Sequence, residues 1–219
     1  MLDMSDSFDR VILVDKPSGM SSFGVVARVR AQLRDEAGRK IKVGHTGTLD
    51  PFATGLLILL SGKNTRRADE FLKLDKEYEA TIFLGQTSST GDPEGELAEI
   101  SKVKPSQEEI VETLKTFEGE LKQKPPIYSA IKINGQRAYK LARKGEAPEM
   151  PERTVMIYRL ELLDYTYPLL KIRVKVSSGT YIRTLAEQIG EELGTGAYCQ
   201  ELRRNQVGAH SIEDATIKL

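Results

Sequence analysis

The chain has 219 residues, of which 39% are hydrophobic and 29% charged, and its 32 basic and 32 acidic residues give a net charge of zero. This composition predicts a globular protein with one substantial core, and no apolar run approaches the roughly 20 residues that span a bilayer. A single cysteine, Cys199, and two histidines exclude an internal disulfide and a Cys/His zinc site. The first ten residues carry acids where a secretion signal needs basic and then apolar residues, so we expect a cytoplasmic protein.

The first third of the chain predicts two strands and two helices around a glycine-rich loop. Residues 11–14 read as a strand, and residues 22–34 place Val25, Val26, Val29 and Leu33 on one face of a helix. Val43 and the apolar run 56–60 predict buried strands on either side of the loop. Residues 63–74 predict a second helix.

The remaining elements alternate without the regular spacing of a parallel, doubly wound sheet. Residues 78–84 predict a strand and residues 85–95 a polar loop, and Ser106 with Glu109 has the spacing of a capping box that begins a helix. Residues 153–165 and 169–176 predict a strand pair, and residues 180–193 an amphipathic helix. We therefore expect an α+β fold with a largely antiparallel or mixed central sheet.

The segment from Gly44 to Gly55 contains three glycines and three threonines around one carboxylate, Asp50. Small residues of this kind build a loop that presents a side chain, and the flanking apolar strands would hold that loop rigidly. An Asp-Pro pair is also a common way to begin a turn or a helix, with the carboxylate capping free N–H groups. Composition and spacing leave both interpretations of Asp50 open.

Four segments in the same order resemble motifs of the TruB family of tRNA pseudouridine synthases. The loop matches every fixed position of the family pattern G-H-T-G-x-L-D-P-x-A-T-G. The other matching segments are residues 15–22 (DKPSGMSS), residues 125–132 (PPIYSAIK) with the positions that follow to Arg143, and residues 178–184 (SGTYIRT) with 194–197 and 202–204.

The resemblance implies the pseudouridine synthase fold, a central mixed sheet flanked by helices with an active-site cleft. It implies an isomerase that converts uridine 55 in the T-loop of tRNA to pseudouridine on a flipped-out base, without a cofactor or a metal. Asp50 would supply the catalytic carboxylate, Arg183 would pair with it, and Tyr78 would lie against the base and help to remove a proton. Without the resemblance, Tyr78 reads as strand packing and Arg183 as a surface residue.

The resemblance also implies a set of substrate-binding residues. His45 would enter the RNA loop beside the extruded nucleotide, and Leu202 would form an apolar wall of the pocket. Ordinary packing for Leu202, and solubilising charge for the basic members of the set, are the alternatives. The remaining candidates are Tyr181, Lys16, Lys132, Arg143, Arg203 and Arg204.

Charge is unevenly distributed despite the zero sum. Residues 121–144 contain seven basic residues and no acid, whereas residues 92–120 contain nine acids and three lysines. A second acid-free stretch, 171–183, could extend a basic face toward an RNA partner. Solvated surface charge remains the alternative interpretation.

The resemblance leaves one family feature unmatched. Bacterial members usually continue into a C-terminal PUA-like RNA-binding domain, but only residues 205–219 follow the last motif. We therefore expect residues 1–219 to form a single catalytic domain, acting as a monomer, whose RNA affinity falls steeply with salt. A tRNA-folding chaperone, or the same isomerisation on another RNA, are the alternative functions.

Overall fold

The computed structural model describes residues 8–218 except 130, 134, 143 and 147. The described residues cluster into two compact units, one made of residues 8–77 and 203–218 and the other of residues 78–202. The elements of the first unit are β1 (Val11–Lys16), α1 (Ser22–Ala37), β2 (Val43–His45), β3 (Thr54–Ser61), a 3₁₀ helix (Gly62–Arg67), α2 (Ala68–Leu72), the first residues of β4 (Lys76–Leu84), the end of β12 (Ala197–Val207), β13 (His210–Ser211), a 3₁₀ helix (Ile212–Asp214) and β14 (Ile217–Lys218).

The first unit is built around β3, in which residues 55–61 are all buried. Strand β1 runs antiparallel to β3, and β14 runs parallel to β1. The start of β3 pairs in parallel with β12, through Thr54 opposite Arg203, and its end pairs antiparallel with β2. A core cluster forms where the sheet meets α2: Leu56, Ile58, Leu60, Phe71 and Val207.

The second unit carries the longest strand pair of the molecule. Its elements are the rest of β4, β5 (Gln86–Ser88), β6 (Leu97–Glu99), α3 (Gln107–Thr116), β7 (Gly119–Gln123), β8 (Lys132–Ile133), β9 (Gln136–Arg137), α4 (Ala138–Ala142), β10 (Arg153–Thr166), β11 (Leu169–Val176), α5 (Ile182–Glu192) and the first part of β12.

The strands of the second unit lie in the order β12-β4-β11-β10-β7, with β10 antiparallel to both of its neighbours. Alternate residues of β11 are buried, and α5 buries Ile182, Leu185, Ala186 and Ile189. Helix α3 begins with the predicted capping box, in which Ser106 Oγ accepts from the N–H of Glu109 at 3.2 Å. The predicted α+β fold is confirmed.

One predicted helix is wrong over its first half. Residues 62–67 form a 3₁₀ helix and only residues 68–72 form an α-helix. Gly62 adopts a φ of 59°, and the Asp9 carboxylate accepts from the N–H of Lys63 at 2.7 Å. None of residues 62–67 is buried, so no apolar contact favours a regular α-helical turn there.

Strands β7 and β12 lack sequence signals strong enough to be predicted, and β5 lies inside the predicted polar loop. Strand β12 reads AYCQELRRNQV, in which charged residues interrupt the alternation expected of a half-buried strand. Arg204 is nevertheless buried on this strand, because its guanidinium donates to backbone carbonyls. Cys199, on the same strand, is buried. None of the helices among the described residues is both long and apolar enough to cross a bilayer.

Candidate active site

The loop that carries Asp50 connects β2 to β3 and is held from inside the first unit. Leu49 and Ala53, on either side of Asp50, are buried, whereas Asp50 itself is only partly buried. The Ser22 hydroxyl donates to the Leu49 carbonyl and accepts from the Leu49 N–H, both at 2.8 Å. The Ala53 N–H donates to the Asp50 carbonyl at 3.2 Å. Anchors on both sides therefore fix the backbone from which the carboxylate projects.

Lys16 supports this loop through hydrogen bonds to backbone carbonyls. Its side chain is fully buried, and its ammonium donates to the carbonyls of Pro17 at 2.9 Å, Met20 at 2.7 Å and Pro51 at 3.2 Å. The Gly19 N–H reaches the same Pro51 carbonyl at 2.8 Å. We therefore assign Lys16 to the support of the loop and not to an RNA contact, because its ammonium has no exposed surface.

The two adjacent arginines of the predicted substrate-binding set, Arg203 and Arg204, differ in exposure. Arg204 is buried, and it donates from Nε to the Leu56 carbonyl at 2.7 Å and from Nη2 to the Gly47 carbonyl at 3.2 Å. Like Lys16, it supports the loop instead of meeting a phosphate. Arg203 forms a bidentate pair with Asp15, at 3.1 and 3.0 Å, and 40% of its side chain is exposed. Of Arg203 and Arg204, only Arg203 has the exposed surface that an RNA contact requires.

His45 lies at the start of the loop, where its surroundings favour the neutral imidazole. Burial lowers the pKa of its imidazole, and the positive charge of Arg204 lowers that pKa further. The Gly47 N–H donates to Nδ1 at 3.4 Å, so the neutral ring carries its proton on Nε2. A neutral, half-buried ring with a defined tautomer is suited to stacking in an RNA loop.

Gly55 closes the loop where β3 meets β12. Its φ is 102°, and a Cβ placed there would lie 2.3 Å from the Arg204 backbone oxygen. We expect Gly55→Ala to lower the free energy of unfolding by about 4 kcal/mol, because backbone strain and steric overlap add. Urea denaturation of the variant and the parent measures this difference.

Gly19→Ala is the matched control for that substitution. Gly19 also has a positive φ, 79°, but a Cβ there would meet nothing within 4 Å. This variant therefore carries backbone strain alone, and we expect it to cost about 1 kcal/mol. Equal losses in the two variants would contradict the close approach of β12 to Gly55.

Arg183 is a buried charged residue of the second unit. It lies in the first turn of α5, and its Nη1 donates to Asp92 Oδ2 at 3.0 Å and to the Thr90 carbonyl at 2.8 Å. Its Nη2 donates to the Tyr128 carbonyl at 2.9 Å. The Arg183 and Asp92 side chains are 4% and 6% exposed, so their ion pair is almost fully removed from water.

Asp92 organises the polar loop that the sequence placed at residues 85–95. Its Oδ1 accepts from the Thr90 hydroxyl at 2.6 Å and from the Glu94 N–H at 3.1 Å. The Glu187 carboxyl, one helical turn after Arg183, has its pKa raised to about 6 by burial, which outweighs the opposing effect of Arg183. The sequence showed this loop as polar and acidic, but it gave no signal that Asp92 and Arg183 would pair across 91 positions.

The other predicted residues of the second unit differ in their exposure and in their hydrogen bonds. Tyr78, on β4, and Leu202, on β12, are each 8% exposed. Tyr181 precedes α5, where the Gln123 side chain accepts from its N–H at 3.1 Å and donates to its carbonyl at 3.3 Å. Lys132 is exposed on β8, and Arg143 lies outside the described residues.

The acid-free stretch 171–183 is less basic in the fold than in the sequence. Glu79, on the neighbouring strand β4, accepts from Arg173 at 2.8 Å and lies 3.9 Å from Lys171. A carboxylate from elsewhere in the chain thus neutralises part of the predicted basic face. In the segment 121–144, all six described basic residues are exposed: Lys122, Lys124, Lys132, Arg137, Lys140 and Lys144.

The structure thus gathers the predicted residues into two groups. Within the first unit, Lys16, Arg204 and His45 surround the backbone of the Asp50 loop. Within the second unit, Arg183 and Tyr181 lie together at the start of α5, and Asp92 joins Arg183. Among the described residues, no group of three or more His, Cys, Asp or Glu side chains is arranged to hold a metal ion.

Comparison with known proteins gives the same family along most of the chain. Residues 34–182 match the model of the TruB family pseudouridylate synthase N-terminal domain, and residues 183–219 match the tRNA pseudouridylate synthase B C-terminal domain. A tRNA pseudouridine synthase B of Parabacteroides distasonis is 45% identical over 93% of this chain and 87% of its own length. One of Pseudomonas fluorescens is 48% identical over 92% of this chain and 65% of its own length.

A solved structure agrees with these sequence matches. A chain in the crystal structure of a Cbf5-Nop10-Gar1 complex superposes with a TM-score of 0.71 and 34% identity. The match covers 95% of this chain and 52% of that one, so this chain spans about half of the length of that relative. The predicted pseudouridine synthase fold is confirmed. The chain belongs to the TruB family of pseudouridylate synthases.

Proposed function

We propose that this chain is a tRNA pseudouridine synthase that isomerises uridine 55 in the T-loop of tRNA. The observation that carries the proposal is the Asp50 loop, which matches the family motif and is fixed on both sides by buried anchors and by Lys16. The relatives named tRNA pseudouridine synthase B support tRNA as the substrate.

The reaction requires a carboxylate held beside the flipped-out nucleotide and little other chemistry. The N1–C1′ bond breaks, the uracil turns and C5 joins C1′. C5 then loses a proton, and N1, freed from the sugar, gains one. Oxidation state is unchanged and no outside group enters, so the balance of the reaction calls for no cofactor. Asp50 acts on the flipped-out nucleotide as a nucleophile or as a stabiliser of positive charge at C1′.

Other residues hold the substrate and the carboxylate. Arg183 supplies a permanent positive charge that keeps Asp50 ionised, and its own position is set by Asp92 and two carbonyls. Tyr78 lies against the base and assists the loss of the C5 proton, and Leu202 and Tyr181 line the pocket. Tyr78 and Leu202 are nearly buried, so only a small part of each side chain is available to touch the base.

The RNA is bound outside the pocket by residues that stay accessible. His45 inserts as a neutral ring beside the extruded nucleotide. Arg203 and Lys132 contact phosphate, with Arg143 as a further candidate. We also propose that residues 1–219 work as a single catalytic domain, as a monomer in the cytoplasm on the tRNA T-arm.

A position-specific assay tests the proposal. Purified protein is incubated with an unmodified tRNA transcript, with the same transcript carrying cytidine at position 55, and beside an Asp50→Ala variant. We expect one pseudouridine per tRNA, at position 55, from the parent protein and the uridine transcript alone. Product at another position, or only in a different RNA, would contradict the stated substrate. RNA annealing by both proteins with product from neither would favour the chaperone alternative.

A further inference from the structure

A basic groove lies on the first unit, on the outer face of α1. Its volume is about 690 Å³, and one wall is a single face of α1 while the other is the segment that leads into β2. Positions 27, 30, 31 and 34 share that helix face because they are three and four residues apart. The residues used below are Ala27, Ala31, Arg30, Arg34, Lys40 and Lys42.

The groove concentrates one sign of charge. Four of its eight lining residues are basic and none is acidic, although the whole chain has equal numbers of both charges. Ala27 and Ala31 are exposed and small, so their side chains leave open space between the basic side chains. Gathering like charges along a concave surface raises the local positive potential and attracts a polyanion.

The four cations are not equally available to a ligand. Arg30 donates from Nη2 to the Val43 carbonyl at 3.0 Å, so it is fixed to the opposite wall. Arg34 pairs with Asp35 at 2.8 Å, but both side chains are more than half exposed, so water weakens that pair. Lys40 and Lys42 are exposed and project from the segment that leads into β2.

An exposed aromatic ring adjoins the cations. Phe23, on the first turn of α1, is 64% exposed, and the Arg30 guanidinium lies 5.8 Å from its ring centroid. Basic side chains beside an exposed ring are the combination that binds a nucleic-acid backbone and stacks a base. The groove also leads to the reacting loop, because Val43 lines it and begins β2, whose last residue is His45.

We propose that this groove binds the sugar-phosphate backbone of the substrate RNA, as a second RNA contact of the first unit in addition to the Asp50 loop. The inference rests on the proposed function for the identity of the RNA. Lys40 and Lys42 contact phosphates, Arg30 holds the groove in shape, and Phe23 offers a stacking surface.

The test reverses two charges in the groove and two elsewhere. The groove variant is Lys40→Glu with Lys42→Glu. The control is Lys73→Glu with Lys102→Glu, which makes the same change in net charge at two exposed lysines outside the groove. The dissociation constant for unmodified tRNA is measured over a range of salt concentrations, and urea denaturation checks that each variant is folded.

We expect the groove variant to bind tRNA about tenfold more weakly than the control near 0.1 M salt, with a salt slope smaller by about 2. Equal affinity and slope in the two variants would overturn the groove proposal. If the parent forms no pseudouridine, the proposed function fails. The binding comparison still shows whether the groove binds RNA.

Discussion

Replacing Asp50 by asparagine is expected to lower the single-turnover rate of pseudouridine formation by about 10⁴-fold or more. Asparagine has the same shape as aspartate but carries no negative charge, so it neither attacks carbon nor stabilises a cation. The backbone anchors of the loop come from Ser22, Lys16 and Arg204 and do not use the Asp50 side chain. Urea denaturation of the variant checks that it remains folded, so that a lower rate can be assigned to the missing carboxylate.

Asp69→Asn is the matched control for the loss of one carboxylate. Asp69 is exposed in the first turn of α2, within the same unit as Asp50. We expect this variant to keep the parent rate. Tritium release from tRNA labelled at C5 of uridine measures both rates under single-turnover conditions. A near-parental rate for Asp50→Asn would remove the basis of the proposed mechanism.

Removing one member of the Arg183–Asp92 pair is expected to cost about 3 to 5 kcal/mol of folding free energy. Arg183→Met leaves the Asp92 carboxylate buried without this guanidinium, and Asp92→Asn removes the negative charge of Asp92 from beside the guanidinium. The double variant buries no unpaired charge of this pair. Its loss should therefore be smaller than the sum of the single losses by at least about 1 kcal/mol.

An exposed pair provides the comparison for this cycle. Arg159 lies 2.6 Å from Glu161, closer than Arg183 lies to Asp92, but 68% of the Arg159 side chain is exposed. Arg159→Met should cost less than about 1 kcal/mol, because water screens the pair. Urea denaturation of the five proteins gives all the values, and additive losses in the Arg183–Asp92 cycle would show that the two charges are not coupled.

Activity separates the two roles of Arg183. If this residue only stabilised the fold, the double variant would be fully active under conditions in which urea denaturation shows it to be folded. We expect the folded double variant to stay slow, because a methionine in place of Arg183 supplies no charge to the substrate site. Full activity in the folded double variant would restrict Arg183 to a structural role.

Local sequence signals identified most of the regular structure and the reacting loop. Val25, Val26, Val29 and Leu33 are the buried face of α1, as their spacing indicated. The strand pair β10 and β11 and the capping box of α3 follow from equally local patterns. The motif around Asp50 resembles the family pattern at every fixed position over a dozen consecutive residues, and the family match confirms that resemblance.

Tertiary structure decided which charged side chains are exposed and can contact a ligand. Lys16 and Arg204 read as surface cations, yet both are buried on carbonyl oxygens of the Asp50 loop. Composition and spacing describe neighbours along the chain, whereas these contacts join residues 35 and 157 positions apart. Such partners become visible only when the chain has folded.

The sequence by itself determined the α+β class, the family, the position of Asp50 and the helices and strands with clear periodicity. Only the tertiary structure decided that Asp92 is the buried partner of Arg183, that Glu79 neutralises part of the predicted basic face, and that a basic groove lies beside α1. The physical reason is that hydrophobic periodicity is a local property, while the energy of a charge depends on burial and on partners that are distant in sequence.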